Sequence, residues 1–298
     1  MGLVPTDDEQ LQMAADAARR LVSQSRAHVG HSITRLPDWV ANASERSPCG
    51  ADREAAARGI HRVAFNERIQ LVEGMSNALL EHLRGLELLT KSAVLHPLPS
   101  IPIARSIAEV AASTAWLLDP ACGADGRAAR AYAAVFRSFE KVELAGTGSE
   151  TGRAAKLRET LITELESHGT RVERHIHKGV KHESVAQVTV GRSRAKTGFQ
   201  YSQRVAAEIP AVAGLYAHMS GIAHGETVHI SSAFDTPAAV IRVLGHVAST
   251  SVEAWSNAVN AWVDVSPGPF LNPRDRKRLV DSMPATHWAE FEAQRESS

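Results

Sequence analysis

Residues 101–118 (IPIARSIAEVAASTAWLL) constrain this chain more than any other segment. At helical spacing, Ile103, Ile107, Val110 and Leu117 fall on one stripe, and Arg105, Glu109, Ala112 and Trp116 on a second. A helix that is apolar nearly all round must be covered on every side, so other helices have to surround it. Two opposite charges, Arg105 and Glu109, sit one turn apart within it. Read as a helix opening at Ile101, it puts a cation near the positive N-terminal end, and Arg before Glu is the weaker order. Burying an ion costs several kcal/mol unless it is well paired. The fold must therefore supply polar partners, either as an ion-pair network tying helices together or as a polar pocket.

The rest of the chain reads in the same way. Thr6-x-x-Glu9 is a capping box, with Asp7 and Asp8 in the first turn, and predicts a helix to about Ser25. Gly30, Pro37, Pro48 and Gly50 predict an irregular stretch over 29–52. A long helix follows over 53–95, with a break near Gly74. Ser100 is placed to cap the 101–118 helix, which Asp119-Pro120 stops. Asp125 is placed to cap a helix over 126–144, and another runs over 150–167 to Gly169. Val185, Val188 and Val190 beside Gly179 and Gly191 predict a short hairpin or extended loop within 170–198. Helical periodicity resumes over 199–224, with Pro210 as a kink or new start, and Thr236-Pro237 opens a helix to about 264. The expected fold class is all-α: a helical bundle with one irregular or short β-hairpin insertion near 170–198. The expected division is an N-terminal helix and irregular segment (1–52), a bundle domain (53–265), and a Pro-rich linker with a helical tail (266–298).

A second polar stripe lies near the end of the 199–224 segment. Tyr216, Ser220 and His224 occupy positions i, i+4 and i+8, with Gly225 as a helix terminator. Hydroxyl and imidazole groups on one face can support acid–base or nucleophilic chemistry. A regular helix, however, lacks the strained turn that usually presents a nucleophilic Ser. His224 in a last turn is stabilised in its charged form without any substrate. The candidate site is therefore Arg105, Glu109, Ser220 and His224, with Tyr216, and these side chains are expected to face one another. His175, His177 and His182, and His218, His224, Glu226 and His229, are rich in potential ligands. With no His-Glu-x-x-His motif and no Cys-x-x-Cys pair, neither metal nor cofactor is expected.

The stretches Ala104-Arg105…Glu109-Val110…Trp116-Leu-Leu-Asp119-Pro120, Arg127-Ala-Ala-Arg130 and Tyr216-x-x-x-Ser220-x-x-x-His224-Gly225 resemble a group of all-helical actinobacterial proteins that bear domain-of-unknown-function names. Some of these are loosely similar to the HEPN helical superfamily, which includes toxin and defence ribonucleases. The resemblance spans roughly residues 75–262. It implies a helical bundle with a shared polar cluster and no particular activity. HEPN nucleases carry an Arg-x4–6-His motif, and no Arg stands four to six residues before His224. Arg26…His31 and Arg171…His177 have that spacing, at the frequency chance provides. Three readings follow: an interaction module of a stress or defence system; a nuclease or other phosphoester hydrolase using the Arg/Glu/His cluster; and a metal-dependent enzyme using the His-rich segments.

The formal net charge is zero, which argues against a global pull toward polyanions. Locally, Arg171, Arg174, Lys178, Lys181, Arg192, Arg194, Lys196 and Arg204 face only Glu173 and Glu183, and Phe199 and Tyr201 are nearby for stacking. A weak phosphate or RNA contact through 171–204 is one expectation, and a homodimer another. No membrane contact is expected, because the apolar 237–265 segment contains Arg242, His246, Glu253 and Asp264. The N-terminus lacks a signal-peptide pattern, and the two cysteines, Cys49 and Cys122, are isolated. Both features fit a cytoplasmic location.

Overall fold

The computed structural model describes residues 6–92, 97–146, 149–176, 183–223, 237–266 and 268–282. Of these residues, 80% are helical. The Thr6 capping box forms: Thr6 Oγ1 accepts from the Glu9 amide at 3.3 Å, and the Thr6 amide donates to Glu9 Oε2 at 2.8 Å. Helix α1 (Asp7–Ala41) then continues well past Ser25. The irregular stretch expected over 29–52 is thus corrected. Buried Leu21, Val22, Ser25, Val29, Ser32 and Leu36 extend one stripe, and Pro37 falls in the last turns, where it removes only one backbone bond. Helix α2 (Pro48–Ala56) starts with Pro48 at its first position behind a Ser47 cap that accepts from the Gly50 amide at 2.9 Å.

Helix α3 (Ile60–Lys91) runs unbroken through Gly74, so the expected break is also corrected. Helix α4 (Pro97–Leu118) begins four residues before Ile101. Ser100 is therefore a buried residue inside the helix and not its cap. A 3-10 turn, Pro120–Cys122, capped by Asp119, leads into α5 (Gly123–Ala145). Asp125 lies in the first turn of α5 and does not cap it. Helix α6 (Ser149–Ser167) ends at Gly169, whose φ of +80° suits a glycine.

The 170–198 insertion is a three-stranded antiparallel sheet in the order β1 (Arg171–Ile176), β2 (Glu183–Val190), β3 (Ser193–Lys196). Val172 pairs with Val188, and Val188 with Ala195. This buried row lies against α5. Helix α7 (Tyr201–Glu208), a turn at Pro210–Val212 and α8 (Ala213–Ala223) follow, so Pro210 marks a new start. Helices α9 (Pro237–Val263) and α10 (Pro273–Asp281) complete the described chain.

Helix α9 packs along both α4 and α1, and α3 closes the group against α1 and α4. Small residues permit this closeness: a Cβ on Gly245 of α9 would stand 2.4 Å from Ala18 Cβ of α1. Val22, Val29 and Leu36 of α1 share one core with residues of α3, α4, α5 and α9. No helix among the described residues is long and apolar enough to cross a membrane.

Candidate functional site

Helices α4 and α8 bring three of the candidate residues together. Arg105 Nε donates to Glu109 Oε1 at 2.8 Å, and the Tyr216 hydroxyl donates to the same oxygen at 2.7 Å. Arg105 Nε also reaches the Tyr216 hydroxyl at 3.4 Å, and its guanidinium lies 5.5 Å from the ring centre. The Arg105 and Glu109 side chains are 21% and 19% exposed, while Tyr216 is buried. Burial opposes charge on Arg105, yet the Tyr216 hydrogen bond and the attraction of Glu109 outweigh it and raise its pKa. Burial, followed by hydrogen bonding to Glu109, pushes the Tyr216 phenol up to about 12. Because α4 starts at Pro97, Arg105 sits two turns inside the helix, beyond the reach of the N-terminal dipole. The apparent conflict with that dipole disappears.

Ser220 lies one turn beyond Tyr216 on α8 and is half-buried. His224 and Gly225 lie outside the described residues, as do Glu226 and His229. A half-buried histidine that the sequence did not single out lies on α3, which packs against α4. His82 of α3 is near enough for Glu109 to raise its pKa, although burial has the larger influence and lowers it. Its place in the run Met75, Leu79, Leu83, Leu86 hid it, since a polar residue beside an apolar stripe reads as a boundary position.

A second polar cluster, entirely buried, holds α2, α3, α5 and α9 together. Asp52 of α2 accepts from Arg68 of α3, from Arg127 of α5 through Nε at 3.0 Å and Nη2 at 2.9 Å, and from Trp262 Nε1 of α9 at 2.8 Å. Arg127 also donates to the Pro48 carbonyl at 3.2 Å. Two guanidiniums share one carboxylate, so the cluster carries excess positive charge. Burial lowers the Arg68 pKa, and it pushes the neighbouring Cys49 thiol up to about 11. Cys49 and Cys122 are both free.

A third arrangement uses aromatic faces. The Arg204 guanidinium lies 3.2 Å from the Phe199 ring centre and 3.9 Å from that of Trp116, and Arg137 covers the other side of Phe199 at 3.8 Å. Burial pushes Arg204 down to about 9. Such cation–π stacking stabilises partly desolvated arginines. It also alters the expected RNA-contacting stretch. Phe199 and Arg204 are engaged with each other, and Arg174 pairs with Glu159 at 3.2 Å.

Two surface clefts adjoin on α9. One of 440 Å³ is lined by Asp119, Glu208, Pro210 and Glu253, and one of 380 Å³ by Glu253, Asn257, Phe270 and Arg276. Neither is lined by the α4–α8 cluster. Among the described residues, no group of three or more His, Cys, Asp or Glu side chains is placed to hold a metal ion. His177, His182, His224, Glu226 and His229 lie outside them.

These features define an α-helical bundle with a small antiparallel sheet, in which polar clusters join the helices. No family model matches the chain, and no curated protein or solved structure is significantly similar to it.

Proposed function

We propose that this chain is a cytoplasmic helical interaction module, HEPN-like in type and serving a stress or defence system, in which Arg105, Glu109 and Tyr216 tie α4 to α8. The observation that supports this reading is mutual satisfaction. One Glu109 oxygen accepts from both Arg105 and Tyr216 at 2.8 and 2.7 Å. A catalytic site aims its donors at a substrate atom, whereas these aim at each other.

His82 supports a second reading, a nuclease or other phosphoester hydrolase. A half-buried imidazole whose pKa burial lowers, within the electrostatic reach of Glu109, has the make-up of a general base. RNA degradation by wild type, His82→Gln and His224→Gln, with thermal melts alongside, separates the two. The module reading expects no degradation, and stability losses of roughly 1–3 kcal/mol where a buried hydrogen bond is broken. Degradation by wild type that either variant abolishes at an unchanged melting temperature favours the hydrolase.

A further inference from the structure

We infer that the outer face of the β1–β2–β3 sheet is a docking surface for the phosphate backbone of duplex RNA. The strand period of two separates the faces cleanly. Val172, Val188 and Ala195 are buried on the side of α5 and α6, so Arg171, Thr189 and Arg194, paired across the three strands, fall on the opposite face, with Thr189 half-buried and its hydroxyl covered. Glu173, Gln187 and Lys196 form the next outward row. Gly191 and Arg192 make the two-residue turn between β2 and β3. Gly191 has φ +57° and Arg192 does not adopt positive φ, as in a type II′ hairpin. The turn is fixed in place, because a Cβ on Gly191 would stand 2.2 Å from an Asp125 carboxylate oxygen.

The result is a rigid cationic face. Arg171, Arg192, Arg194 and Lys196 are all exposed on it. Glu173 is the acid of that face among the described residues, 3.6 Å from Arg171. Asp125, at the turn, is engaged by His61 at 3.1 Å. Arg192, Arg194 and Lys196 recur every second residue, roughly 7 Å apart, and Arg171 and Arg194 are separated by two strand spacings, roughly 10 Å. A duplex carries about one negative charge per 1.7 Å of axis, so a face of that width meets several phosphates. The charge is local, in a chain whose formal net charge is zero.

The same face indicates a duplex over a single strand. Single-strand binders stack bases on exposed aromatic rings, and the described residues place none on this face. Phe199 is already covered on both sides by Arg137 and Arg204. Duplex RNA is recognised by shape and backbone, which needs only placed cations.

The inference names the partner of the proposed interaction module and rests on that reading in one respect: the RNA is held and not cut. Fluorescence anisotropy of a labelled RNA duplex tests it with the full chain. With the per-phosphate coefficient of a B-DNA duplex, four phosphate contacts give a log–log salt slope of about −3.6, so affinity falls roughly 150-fold between about 50 and 200 mM salt. Arg194→Ala should reduce the slope to about −2.7, and the triple variant R192A/R194A/K196A should lose most of the binding. Arg278→Gln, exposed on α10, which packs on α1 and α9, should bind as wild type does. All these side chains are exposed, so melting temperatures should stay unchanged. Should the triple variant unfold, the slopes of Arg194→Gln and Lys196→Gln decide instead. No binding by wild type, or a slope that none of these substitutions changes, overturns the inference. Binding to phosphatidylserine vesicles but not to the duplex overturns it in favour of a membrane surface. Cleavage of bound duplex would leave this surface standing and remove the module reading.

Discussion

The Asp52 cluster and the Arg105–Glu109–Tyr216 cluster are built from the same chemistry and differ in burial. In the first, the Arg68 and Asp52 side chains are 2% and 1% exposed, and α2, α3, α5 and α9 meet at one carboxylate. In the second, arginine and glutamate are about one-fifth exposed, and their hydrogen bonds to Tyr216 join α4 to α8. Removing one partner of a buried ion group leaves an uncompensated charge that water cannot reach. Doing the same at a partly exposed pair lets water replace the lost bond. The first cluster should therefore behave as a keystone of the fold, and the second as a local tie.

The largest expected effect follows from that difference. Asp52→Asn keeps the shape but strands the Arg68 and Arg127 guanidiniums in the core. It should lower stability by about 3–5 kcal/mol, seen as a fall in melting temperature on the order of 10 °C. A loss below about 1 kcal/mol, within the range of an exposed pair, would break the comparison.

The two clusters also differ in how far the sequence reveals them. Arg105 and Glu109 are one helical turn apart on an apolar helix, so their need for polar partners is written in local spacing, and the Tyr216 stripe is the natural supplier. Thr6–Glu9 and the breaks at Pro120, Gly169, Pro210 and Pro237 are legible for the same reason. Asp52 meets residues 16, 75 and 210 positions away; no periodicity joins them, and Asp52, Arg68 and Arg127 each read alone as a surface charge. The Arg204–Phe199–Arg137 stack is hidden in the same way, because it forms only when α5, α7 and the segment after β3 come together. Helix α1 outruns its expected end because burial of Val29, Ser32 and Leu36 outweighs the signals of Gly30 and Pro37. The third strand escaped notice because Ser193–Lys196 is short and mostly polar, with Ala195 its one buried residue.

Acid should distinguish the clusters further. Burial, its largest influence, lowers the His82 pKa from the ordinary 6.5, and the charge of Glu109 opposes that shift. Above that value the imidazole is neutral in both folded and unfolded chains. Below it the unfolded chain takes up the proton first, so this group's share of stability is present above pH 6.5 and lost as pH falls toward the lowered value. NMR titration should place His82 below 6.5, and lower still in Glu109→Gln, which removes the opposing attraction. An unshifted His82 in that variant would mean that the imidazole does not sense Glu109.

The most direct test of the central claim, that the α4–α8 cluster is a structural tie, is a double-mutant cycle in unfolding free energy. Its members are wild type, Glu109→Ala, Tyr216→Phe and the double variant. A hydrogen bond between the two helices predicts a coupling of about 1 kcal/mol, and single losses of about 1–2 kcal/mol. Additive effects, with no coupling between Glu109 and Tyr216, would contradict it.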